Sequence, residues 1–92
     1  MQVKVEDFGF SEDKCMNYVL YRVSDIDDDV RRKLMERLEE DIEEDNGDLL
    51  ITVFYAPEYF PFGSEEAKVR MDDFIAREEI EMTVFLSSVL ED

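Results

Sequence analysis

Asp27-Asp28-Asp29-Val30-Arg31-Arg32-Lys33-Leu34-Met35-Glu36-Arg37-Leu38-Glu39-Glu40-Asp41-Ile42-Glu43-Glu44-Asp45, closed by Asn46-Gly47, is the stretch on which the fold turns. Val30, Leu34, Leu38 and Ile42 recur every four residues with Met35 beside them, which predicts one continuous helix over 27–45. Ser24 or Asp25 is the expected N-cap, and Asp27, Asp28 and Asp29 occupy a first turn whose dipole favours anions. Asn46-Gly47 reads as the stop, because glycine tolerates the left-handed conformation that ends helices.

Downstream, Leu49-Leu50-Ile51-Thr52-Val53-Phe54-Tyr55 is short, β-branched and aromatic, the signature of a buried strand. Pro57 and Pro61 break the next eight residues into a loop. A second helix is expected from Glu65 to Glu79, capped by Ser64, with Ala67, Met71, Phe74, Ile75 and Glu78 on one side. Met82-Thr83-Val84-Phe85-Leu86 reads as a final strand, extended by Val89-Leu90. Upstream, Val3–Phe8 reads as a strand. Cys15–Val23 reads as its hairpin partner, with a helix capped by Ser11 as the competing reading. The expectation is one α+β domain over residues 1–92, with a small sheet of about four strands and two helices on one face, in the order ββαβαβ. The opposite sheet face then needs a cover, and the surplus of aromatic residues points to a dimer.

The chain has 92 residues, with 26 Asp+Glu against 10 Lys+Arg, a net charge of -16. Its 45% hydrophobic content is too high for a disordered acidic tail. A pI near 4.1 argues against binding nucleic acid or an anionic membrane, both of which attract basic surfaces. No apolar run approaches the roughly 20 residues of a bilayer span. The start of the chain lacks the apolar core of a signal peptide, and a lone Cys15 suits a reducing compartment, so a cytoplasmic location is expected.

The chemistry of a catalyst is sparse. Without histidine there is no Ser-His or Cys-His nucleophile, and the three glycines do not form a phosphate-cradling loop. Aligning Gly47 with the invariant glycine of a calcium loop puts Ile42 and Val53 where carboxylates belong. No enzyme activity, cofactor or resident metal is expected. Cys15, among apolar residues, reads as a small buried hydrophobe.

The acids themselves are the main signal. Residues 25–48 hold twelve of them, and seven of the ten positions from Glu36 to Asp45 are carboxylates. On a helix that is roughly one carboxylate per 2 Å of axis, close to the charge density of duplex DNA. The arrangement opposes helix stability. Glu36/Glu40, Glu39/Glu43, Glu40/Glu44 and Asp41/Asp45 are like-charge pairs, each unfavourable by about 0.2–0.5 kcal/mol. The acids also crowd the C-terminal end, where the dipole prefers cations. Such violations more often mark functional positions than structural ones, although a solvated face that keeps a small protein soluble is the plainer explanation. The candidate phosphate surrogates are Glu36, Glu39, Glu40, Glu43, Glu44 and Asp45, with Asp72, Asp73, Glu78 and Glu79 as a second row. Tyr55, Tyr59, Phe60 and Phe62, four rings in eight residues, either cap the core or form a dimer interface.

The acidic stretch Asp27–Asp45, the acids Glu65, Glu66, Asp72, Asp73, Glu78 and Glu79, and the compact 92-residue frame resemble the Arn-type phage anti-restriction proteins, a group of small acidic DNA mimics. The resemblance implies a dimeric DNA mimic in the infected host. It would occupy the DNA-binding surfaces of a restriction nuclease of the McrBC type and of the nucleoid protein H-NS. Two other classes compete: an immunity-type inhibitor that fits one toxic nuclease by shape, and a structural dimerisation module.

Overall fold

The computed structural model describes residues 1–38, 41–56 and 65–91. The protein has an α+β fold with the elements β1 (Gln2–Ser11), β2 (Met16–Ser24), α1 (Asp28–Arg37), β3 (Asp41–Asp45), β4 (Asp48–Tyr55) and α2 (Glu65–Glu91). The strands form one antiparallel sheet in the order β1-β2-β4-β3. The fold class is the one the sequence implies, and residues 16–24 are a strand rather than a helix. Two elements differ from expectation, so the order is ββαββα.

The first difference is the acidic run. The helix starts later than expected: the cap is Asp27, which accepts from the Val30 N–H at 2.8 Å, and not Ser24 or Asp25, while Asp28 and Asp29 fill the first turn. It ends at Arg37, with Leu38 already extended at φ -87 and ψ 139. Residues 41–45 then become an edge strand paired to β4, with Asp41 opposite Thr52 and Asp45 opposite Asp48. The repulsive i,i+4 pairs explain the break, because a strand places successive carboxylates on opposite faces and separates them. Asn46 (φ 51) and Gly47 (φ 88) both have the positive φ of a type I′ turn, so the pair closes a β-hairpin instead of ending a helix.

The second difference lies at the C-terminus, where residues 82–86 continue α2. Met82 and Leu86 are buried while Val84 and Phe85 are exposed, which is a helical spacing and not an alternating one. Among the described residues, no helix is long and apolar enough to cross a membrane.

Both helices cover one face of the sheet. Val19, Tyr21 and Val23 of β2 and Leu49 and Ile51 of β4 alternate inward, and Leu34 of α1 and Leu86 of α2 seal them. Each fully buried aliphatic side chain contributes about 1.5–3 kcal/mol. Arg31 ties α1 to the hairpin by donating from Nε to the Gly47 carbonyl at 2.9 Å, and Arg37 ties it to α2 by donating to the Val89 carbonyl at 2.9 Å. Cys15 is not buried: it sits exposed in the β1–β2 turn at φ 53, where Sγ faces the Glu12 carbonyl at 3.5 Å. A four-residue turn needs one left-handed residue, and that geometry outweighed its apolar character.

Candidate functional site

Among the described residues, the predicted phosphate surrogates do not form a single row. Glu36 is exposed on α1 and accepts from Arg32 at 3.2 Å. Glu43 and Glu44 are exposed on β3 but point to opposite sides of the sheet, since strand side chains alternate. Asp45 lies beside them and is bound to Arg22 at 2.9 Å. Asp72 and Asp73 are exposed on α2. Glu39 and Glu40 fall outside the described residues, as do Tyr59, Phe60 and Phe62 of the expected dimer interface.

Glu78 and Glu79 are structural acceptors and not members of a surface row. Both Tyr21 and Tyr55 donate to Glu78 Oε2 at 3.3 Å, and their hydroxyls lie 3.1 Å apart. Glu79 Oε2 accepts from the Val5 N–H at 2.7 Å, where the register shift between Val5 and Asp7 disturbs β1. α2 is thereby fastened to β1, β2 and β4. Tyr55 accordingly faces the helices and packs against the core. Burial pushes both phenols up from their ordinary pKa, that of Tyr21 further through its bond to Tyr55.

A raised phenol pKa stabilises the fold fully below the ordinary range near about 10, and that stabilisation is lost as pH rises above it. Tyr21 and Tyr55 are therefore expected to ionise only together with cooperative alkaline unfolding. Tyrosinate absorbance followed alongside near-ultraviolet circular dichroism checks this, and Tyr21→Phe should shift the transition to higher pH. Ionisation of every phenol near pH 10 in a still-folded chain would contradict it.

The face of the sheet away from the helices holds what the sequence reading missed. No described element packs over it. Tyr18, Leu20, Leu50, Thr52 and Phe54 form a half-buried, largely apolar centre. Around them stand Asp7, Asp41, Glu43, Asp45 and Asp48. Gly9, opposite Tyr18, leaves room for the phenol ring to lie over β1, so that its hydroxyl donates to Asp7 at 3.2 Å. Arg22 gathers two of these rim carboxylates, Asp45 at 2.9 Å and Asp48 at 3.0 Å, together with Glu6 of β1 at 2.7 Å, and so links all four strands. Those bonds push the guanidinium pKa up, the one to Glu6 most. A cleft of about 490 Å³ opens between Leu20, Leu50, Phe54 and the β3 acids. The alternation of β2, with Tyr18, Leu20 and Arg22 between Val19, Tyr21 and Val23, is the signal that could have revealed this face.

The described residues contain no group of three or more Cys, Asp or Glu arranged to hold a metal ion. No curated protein matches the chain. The model of the family of unknown function DUF5750 matches residues 2–92, and the chain belongs to that family.

Proposed function

We propose that this protein acts by binding and not by catalysis, as an anionic inhibitor that occupies the basic DNA-binding surface of another protein. The observation that carries this reading is the net charge of -16 on 92 residues with an ordered core. Among the described residues, Glu43, Glu44, Asp72 and Asp73 have no cation within salt-bridge distance, so their charge is available to a partner. A restriction nuclease of the McrBC type and H-NS are the targets suggested by the resemblance to DNA-mimicking proteins.

The mode of binding differs from a copied phosphate row. On a strand, same-face carboxylates stand about 6.7 Å apart, half the charge density of one DNA strand. An apolar centre with an acidic rim is instead the anatomy of a protein–protein interface. This favours a shape-fitting inhibitor of the immunity type as the second reading. A dimer remains part of the proposal, and its support moves from Tyr55 to α2, where Ile80 and Val84 are 65% and 64% exposed one turn apart.

Displacement of a fluorescent duplex tests the reading against purified H-NS, a McrBC-type nuclease and two unrelated basic DNA-binding proteins, with lysozyme as a basic control. The protein should release DNA from at least one of them, with an affinity that falls steeply as salt rises. Release from several supports mimicry; tight, exclusive binding to one supports the second reading. Failure to bind any of them at low salt contradicts both.

A further inference from the structure

We propose that the outer face of the sheet is the docking surface for a basic partner protein, and that Phe54 and Asp41 form a seat for one of its lysine or arginine side chains. This rests on the inhibitor reading above and says where the partner sits. In the free protein the seat holds the chain's own Lys14. Its Nζ lies 4.0 Å from the centroid of the Phe54 ring and 3.6 Å from Asp41 Oδ2. An aromatic face beside a carboxylate is a cation site by two independent attractions, the ring quadrupole and the opposite charge.

Lys14 is suited to being displaced. It belongs to the β1–β2 turn, its side chain is 52% exposed and that of Asp41 is 67% exposed. Ion pairs this open are weakly held. Beside the seat lie the cleft of about 490 Å³ and a shallower hollow of about 280 Å³ lined by Ser11, Tyr18, Leu20, Thr52 and Phe54. An apolar side chain of the partner fits there, flanked by cations that meet Glu43 and Asp7.

Charge selects the occupant. A second copy would bring an equal charge of -16 and set one acidic rim against another. Nucleic acid and anionic lipid are repelled for the same reason. A protein surface with an apolar projection ringed by Lys and Arg satisfies both the centre and the rim.

The test measures affinity of the full chain for each of the purified DNA-binding proteins named above. Lys14→Ala empties the seat and should tighten binding about two- to fivefold beyond Lys33→Ala, which removes the same charge from α1. Phe54→Leu, which keeps the apolar volume, and Asp41→Asn should each weaken binding while circular dichroism stays unchanged. Equal effects of Lys14→Ala and Lys33→Ala, with Phe54→Leu neutral, overturn this surface and leave the inhibitor reading standing. A wild-type chain that binds none of the proteins overturns that reading itself. Sedimentation showing that Phe54→Leu converts a dimer to a monomer would make the occupant a second copy, and overturns the proposal as well.

Discussion

Truncating Leu86 to alanine should destabilise the protein by about 2–5 kcal/mol, whereas Val84→Ala should change stability by less than about 0.5 kcal/mol. Leu86 is fully buried against Leu34 and the inner face of the sheet, and Val84 is 64% exposed. The pair discriminates between architectures. In a strand, residues 82, 84 and 86 share one face, so both truncations would cost alike. On α2, Met82 and Leu86 point inward and Val84 does not. The cost at Leu86 combines lost burial with the cavity left between two helices and a sheet. Urea unfolding of the two variants measures the difference directly, and equal losses would contradict the helix.

Gly47→Val should cost about 1–2 kcal/mol, the penalty for placing a side chain in a left-handed conformation, and its β-branch belongs at the upper end of that range. Gly47 has φ 88 in the turn that sets the register of β3 on β4. Space is not the obstacle, since a Cβ there would meet Arg31 Nη2 at an ordinary 3.5 Å. The strain falls on the hairpin, so amide exchange should accelerate at Glu43 and Asp45, whose N–H groups face β4, before the central strands are affected. Asn46→Gly, at φ 51, should be tolerated. If Gly47→Val left the exchange at Glu43 and Asp45 unchanged, the hairpin assignment would be wrong.

Sequence reasoning succeeded where a local rule had one outcome. The first-turn acids Asp28 and Asp29, the helical stripe through Val30 and Leu34 and the apolar run Leu49–Tyr55 each predicted their own element. It failed where two outcomes share one signal. Asn-Gly ends helices and closes hairpins, and the choice depends on whether the residues before it can pair with those after it. The like-charge pairs from Glu36 to Asp45 argue against a continuous helix, and residues 41–45 are indeed a strand. Residues 82–86 are β-branched and aromatic, and only their continuity with Phe74 and Glu78 at helical spacing marks them as α2.

The site was legible in charge and not in placement. Composition gives a strongly anionic surface, but which acids are free depends on tertiary contacts. Glu78 and Glu79 look like surface charges on a helix and are consumed by Tyr21, Tyr55 and the Val5 amide. Arg22 similarly draws Glu6, Asp45 and Asp48 into one knot. The outer face emerges only when β2 and β4 are laid side by side, because Leu20 and Thr52 become neighbours across strands separated by more than twenty residues of chain.

The most direct measurement is a backbone amide spectrum of the labelled protein, titrated with whichever purified DNA-binding protein it displaces from the duplex. Shifts and line broadening should concentrate on Tyr18, Leu20, Leu50, Thr52 and Phe54 and on the β3 acids, with α2 little affected. Perturbations centred on Asp72 and Asp73, with the outer sheet face silent, would contradict it.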